Sequence, residues 1–179
     1  MRDETLDFFT GAEPMPLLRA LGGLALLGAA AGCMLPTPPQ PGPDFYVMRH
    51  LHRADGSADP GLSAEGQRQA QLLLGRFGAR PPAVIYVTNT RRARETAAPI
   101  AARLQLEPRI YDPRDTAGLV SDLQKDPNPA LIIGHSNTVP EIVAALGGAR
   151  PAAIAETEYG TIYHVSGPRR TVTVMRVAQ

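Results

Sequence analysis

Val47-Met48-Arg49-His50 closes a short apolar run on an arginine and a histidine, and Leu131-Ile132-Ile133-Gly134-His135-Ser136 closes a second run on glycine and histidine far downstream. Short apolar runs bounded by such breaks read as buried strands, so each histidine stands where a strand ends. A third run, Ala83-Val84-Ile85-Tyr86-Val87, leads into Thr88-Asn89-Thr90-Arg91-Arg92-Ala93-Arg94-Glu95-Thr96. The three strand ends together propose a pocket of two imidazoles and two or three guanidinium groups. That composition suits a phosphoryl group. Arginine offers a planar donor fork that matches phosphate oxygens, and a neutral imidazole can attack phosphorus or carry a proton near neutral pH.

Between these runs the chain alternates. Phe45 to Met48 is a strand, residues 51 to 62 are a Gly-, Asp-, Ser- and Pro-containing loop, and Ser63 is placed to cap a helix over 63 to 77. Further helices are expected at 90 to 104 and 138 to 146, with a short strand and a short helix inside 111 to 124. Residues 160 to 165 and 171 to 177 alternate around Gly167-Pro168 and predict a hairpin. The expected fold is therefore an α/β protein: a three-layer α/β/α sandwich whose mostly parallel sheet carries an antiparallel C-terminal hairpin at its edge. In such sheets ligands bind beyond the carboxyl ends of the strands, which is where all three segments fall.

The 179 residues suffice for one ordinary domain. Basic and acidic side chains nearly balance, 18 against 17, so a broad footprint for nucleic acid is not expected. Aromatic content of 5% without tryptophan also argues against a base-stacking platform. A single cysteine, Cys33, excludes an internal disulfide framework and any multi-cysteine metal site.

Cys33 is informative through its surroundings. Met15 to Arg19 gives a short cationic start, residues 20 to 31 form an apolar and small-residue run, and Ala30-Ala31-Gly32-Cys33 closes it. This is the layout of a secretory signal, too short to span a bilayer as a helix. The ending resembles a bacterial lipoprotein signal, in which the cysteine is lipidated; Ala30 stands where that pattern usually has leucine. The acidic stretch before Met15 fits a signal poorly and makes Met15 an alternative start. The expected organisation is thus a leader over 1–33, a Pro-rich tether over 34–43 and a folded domain over 44–179. The domain would face the periplasm, anchored to the membrane through lipid at Cys33.

The motifs support a closer comparison. Arg49-His50-Leu51, Thr88-x-x-x-Arg92-Ala93-x-x-Thr96 and Gly134-His135 resemble, in order and spacing, the segments of the histidine phosphatase superfamily, the fold shared with cofactor-dependent phosphoglycerate mutases. The resemblance covers residues 44 to 179 and is nearest to small members without an inserted cap. It implies that His50 is the nucleophile and that Arg49, Arg92 and His135 bind the phosphoryl group, with His135 protonated. Arg53 falls where some branches, with Arg-His-x-x-Arg, have a further phosphate-binding arginine. The implied activity is a metal-independent phosphatase with no cofactor, acting on a phosphomonoester, phosphoanhydride or phosphohistidine in a small molecule or phosphoprotein. A monomer is expected.

Two departures stand out. Leu51 replaces the usual glycine, which predicts an altered loop after the nucleophile. The family's leaving-group acids, a glutamate just after Arg-His-Gly or an aspartate after the second histidine, are absent; Asp112, Asp115, Glu156 and Glu158 are candidates by loop position alone. His52 and His164 are expected to be structural, Arg91 and Arg94 solvated or ion-paired, and Asn137 a helix cap. Competing functions are a non-catalytic phosphate-binding lipoprotein, a mutase, and a metal-dependent hydrolase using His50, His52 and His135.

Overall fold

A computed structural model describes residues 42–177; the expected leader with Cys33 and most of the expected tether lie outside the described residues. Six strands form one sheet in the order β3-β2-β4-β1-β5-β6, with β1 Phe45–Arg49, β2 Val84–Thr88, β3 Arg109–Tyr111, β4 Ala130–Gly134, β5 Thr161–Ser166 and β6 Thr171–Arg176. The first four strands are parallel, and β5 and β6 run antiparallel as an edge hairpin. The helices are α1 Ala64–Leu72, α2 Arg91–Leu104, α3 Thr116–Lys125 and α4 Val139–Ala145.

The side-chain period of two in the strands divides the core into two halves. Tyr46, Met48, Ile85, Val87, Leu131 and Ile133 face Ala70, Leu73, Ala97 and Ile100 on the α1 and α2 side. Phe45, Val47, Val84, Tyr86, Ala130 and Ile132 face Leu119, Leu123, Ile142 and Val143 on the α3 and α4 side. Strands buried on both faces explain why the sequence shows unbroken apolar runs, and the three-layer sandwich follows.

Local signals set the helix starts. Ser63 adopts an extended conformation and its hydroxyl accepts from Gly66 N at 3.2 Å, while Asp115 does the same for Gly118 N at 2.8 Å. The helix expected over 63 to 77 ends earlier than its apolar stripe suggests, because Leu73–Arg76 tighten into a 3-10 turn that still buries Leu73. Asn137 does not cap α4: Thr138 is the N-cap residue, and its Oγ1 accepts instead from His135 N at 3.0 Å.

Candidate active site

The topology brings the two strand-end histidines together. β1 and β4 are neighbours with Arg49 opposite Gly134, His50 N donates to Gly134 O at 3.0 Å, and the His50 and His135 rings lie 5.5 Å apart, edge to face. Gly134 is needed at this crossing. A Cβ there would stand 2.8 Å from both Thr138 Oγ1 and Tyr111 Oη, closer than real Cβ contacts.

His50 is 2% exposed, and its Nδ1 lies 2.8 Å from the Leu51 carbonyl oxygen. A carbonyl can only accept, so Nδ1 carries the proton and Nε2 keeps its lone pair. Burial first, and then the Arg49, Arg92 and His135 charges, lower the pKa to about 3 against the opposing pull of the Leu51 bond. The ring is therefore neutral at physiological pH.

Leu51 brings no backbone strain. Among the described residues, positive φ occurs outside glycine only at Gln105 and Arg170, and Leu51 is fully buried in the core beside α1 and α2. Its N–H donates to Thr96 Oγ1 at 3.1 Å, and Thr96 Oγ1 donates to Arg92 O at 2.8 Å. One threonine thus ties the turn after His50 to the helix turn that carries Arg92. This gives a physical reason for the threonine four residues beyond Arg92.

His135 shares a 3.0 Å hydrogen bond between its Nε2 and Thr88 Oγ1, at the end of β2. Burial, followed by Arg92 and Arg49, lowers its pKa to about 4, with Glu156 acting weakly in the opposite direction. Its neighbours hold it neutral, whereas the sequence reading gives a protonated ring. The physical reason is burial first, which penalises a charged ring, and then two nearby guanidinium groups that oppose a third positive charge.

Arg49 is 3% exposed and is gripped by the loop before β5. Its Nη1 donates to the carbonyls of Ala155, Glu156 and Glu158 at 2.9 to 3.0 Å, Nη2 donates to Glu156 Oε2 at 2.8 Å, and the Tyr159 ring lies 4.3 Å from its Cζ. Arg92, near the start of α2, stands 3.5 Å from Asp59 Oδ1, and both Asp59 oxygens accept from Arg91 N at 3.1 Å. The Nε atoms of Arg49 and Arg92 are buried and have no hydrogen-bond partner among the described residues. Buried donors without acceptors are costly, and two of them on cationic side chains that line one cavity suit an anion there.

That cavity has a volume of about 300 Å³ and is lined by Arg49, His50, Arg53, Arg92, His135 and Glu156, with Ser57, Ala58, Pro60, Ser136 and Asn137 at its edges. Arg53, exposed at the start of the 54–61 loop, joins the wall. Of the four carboxyl candidates, only Glu156 lines it. Asp112 pairs with Arg114, Asp115 caps α3, and Glu158 pairs with Arg176 and accepts from Thr161. His52 lies 3.2 Å from Gln69 Oε1 through Nδ1 and stacks near Tyr159, outside the cavity wall; His164 is bonded to Asp44 at 2.8 Å on the other end of the sheet. Arg91 pairs with Glu95, and Arg94 donates to Asn89.

The sequence reading overlooks Thr88, Thr96 in its linking role, Asp59, Tyr159 and the carbonyl cage around Arg49. Thr88 and Thr96 open and close the Thr88-x-x-x-Arg92-Ala93-x-x-Thr96 segment, whose spacing is the signal that marks them. Asp59 stands shortly before the Ser63 cap in a loop rich in turn residues and carried no separate signal. The cage is made by main-chain oxygens, which sequence does not mark.

A mostly parallel α/β sheet thus carries, at the carboxyl ends of its parallel strands, paired imidazoles and guanidinium donors without partners among the described residues, a composition that suits an oxyanion. Residues 46–114 match the family model of the histidine phosphatase superfamily, branch 1, a span that contains the Arg49-His50 and Arg92 segments but not His135. Comparison with curated protein sequences gives no match. Among solved structures, the protein histidine phosphatase SixA complexed with tungstate is 21% identical, with a TM-score of 0.57, over 75% of this chain and 97% of that one. A mycobacterial glucosyl-3-phosphoglycerate phosphatase with inorganic phosphate is 17% identical, with a TM-score of 0.55, over 75% and 95%. The alpha-ribazole phosphatase from Shigella flexneri is 15% identical, with a TM-score of 0.58, over 76% and 96%. At these identities the structures establish the shared fold.

Proposed function

We propose that the protein is a metal-independent phosphatase that works through a phosphohistidine on His50. The observation that carries this reading is the pairing of a buried neutral imidazole, its Nε2 free of the Leu51 bond, with buried Arg49 and half-buried Arg92, which line the same cavity and whose buried Nε atoms have no partner among the described residues. The names of the three structural relatives described above, each a phosphatase, support the class; they differ in substrate and do not select one.

In the first step, His50 Nε2 attacks phosphorus and forms a P–N bond as the bond to the leaving group breaks. Charge on the equatorial oxygens is held by Arg49, Arg92 and Arg53, and by His135 once the dianion has raised its affinity for a proton. In the second step, water attacks phosphorus, the P–N bond breaks, and inorganic phosphate and neutral His50 are regenerated. Glu156 has its carboxyl held below the ordinary range first by the Ser136 hydroxyl and then by Arg49, which favours the ionised form and disfavours it as a proton donor. Leaving groups that depart with little protonation, such as phosphoanhydrides and phosphohistidine, are therefore favoured over poor ones such as simple alkyl phosphates.

The same reading places the catalytic domain on a lipid tether at Cys33, facing the periplasm. Globomycin-sensitive processing would support the anchor, and a soluble product with unprocessed Cys33 would count against it. For catalysis, the test is hydrolysis of p-nitrophenyl phosphate and a phosphohistidine peptide in the presence of chelator. Turnover that survives chelator and vanishes in His50→Ala supports the proposal. Phosphate binding without turnover would favour a non-catalytic phosphate-binding lipoprotein instead.

A further inference from the structure

We propose that Glu156 is an internal competitor for the phosphoryl-binding edge of Arg49 and so sets how tightly the pocket holds a phosphate oxyanion. This rests on the reading of the cavity as a phosphoryl site. The argument begins with the donors of Arg49. A guanidinium presents two edges, and the side-on edge is formed by Nε and Nη2, the pair that engages two oxygens of one oxyanion. In Arg49 the opposite nitrogen, Nη1, is committed to three main-chain carbonyls at 2.9 to 3.0 Å, which no ligand can displace without moving the loop. Nε is buried and unpartnered. Nη2 donates to Glu156 Oε2 at 2.8 Å. Among the described residues, the only side-chain acceptor on Arg49 therefore lies on the edge that a phosphoryl group would use.

Glu156 is built to yield this position. Its side chain is 70% exposed while that of Arg49 is 4% exposed, so the carboxylate can swing into water and the guanidinium cannot. Its second oxygen accepts from Ser136 Oγ at 2.5 Å, next to His135 and also on the cavity wall. Its backbone oxygen belongs to the carbonyl cage, so replacing the side chain leaves Arg49 gripped. Asp59 is different. It meets Arg92 at 3.5 Å but is pinned by two bonds from Arg91 N, which makes it a fixed helix cap and not an exchangeable partner. Displacing Glu156 costs an exposed, charge-assisted contact, and every oxyanion entering the fork bears that cost together with the like-charge repulsion of the carboxylate.

The test is calorimetric titration of inorganic phosphate into the full-length protein and into Glu156→Gln and Glu156→Ala, alongside steady-state kinetics on p-nitrophenyl phosphate. Removing the competing charge of an exposed ion pair should tighten phosphate binding by roughly two- to fivefold in both variants. KM should fall in parallel with little change in kcat, a split that a merely structural role would not produce. Unchanged or weaker phosphate binding in both variants, with their thermal stability intact, overturns the competitor role and leaves the phosphoryl site standing. Failure of the wild-type protein and both variants to bind phosphate overturns the site and the inference together.

Discussion

His50 Nδ1 donates its proton to the Leu51 carbonyl at 2.8 Å, a bond between adjacent residues that leaves Nε2 as the only nitrogen able to act as nucleophile. The bond depends on the turn at Leu51, and that turn is held by Thr96 through Leu51 N at 3.1 Å. The reactive tautomer of one histidine is thus supported by a threonine on α2 that does not itself line the cavity.

Thr96→Val keeps the shape of this side chain and removes its acceptor. Leu51 N is then left without its bond in the core, at a cost of about 1 to 3 kcal/mol. The melting temperature should fall, and kcat should fall further than the loss of folded protein explains, because His50 loses its fixed orientation. Thermal melts combined with active-site titration check both parts, and an unchanged kcat per folded molecule would contradict the link.

Leu51→Gly restores the residue usual at this position in the family that the motifs resemble. Here it should destabilise. Leu51 is fully buried and lies outside the positive-φ region, so glycine relieves no strain while opening a cavity. The expected loss is about 3 to 5 kcal/mol, the upper part of the range for truncating a buried leucine, read from denaturant unfolding.

Gly134→Ala tests the crossing of β4 with the turn after it. The added methyl would sit 2.8 Å from the Thr138 and Tyr111 hydroxyl oxygens, both on buried residues. Overpacking of this kind costs about 1 to 3 kcal/mol. Since Thr138 Oγ1 also orients His135 N, activity should drop together with stability.

The two histidines also make stability depend on pH. Their native pKa values, about 3 for His50 and about 4 for His135, lie below the value of 6.5 for an unperturbed ring. Between those limits the unfolded chain binds more protons than the native one, so stability rises with pH through the window and is lost as pH falls from 6.5 towards 3. In His50→Ala the slope of unfolding free energy against pH should be shallower than in the wild type over that interval. An identical slope would mean that His50 is not held neutral by the fold.

Much of this arrangement is legible in the sequence because it is local. The runs 45 to 48, 83 to 87 and 130 to 133 are apolar because both sheet faces are covered, and that same burial places Arg49, Thr88 and Gly134 at one end of the sheet. The limits of the reading are equally physical. Arg49 meets the carbonyls of residues 155, 156 and 158 across more than a hundred positions of chain, and main-chain acceptors leave no residue-type signature. Asp112, Asp115 and Glu158 have the right chemistry for a proton donor and sit in loops, but each is committed to another partner and none lines the cavity. Loop position does not encode which side of the molecule a carboxyl faces.

The central claim is that His50 takes the phosphoryl group, and the most direct measurement is rapid-quench trapping with a radiolabelled phosphodonor followed by peptide mapping. The account predicts an acid-labile, alkali-stable label on the peptide containing His50, absent from His50→Ala and formed as fast as turnover. Multiple turnover with no label on that peptide, or label appearing on His135 instead, would contradict it.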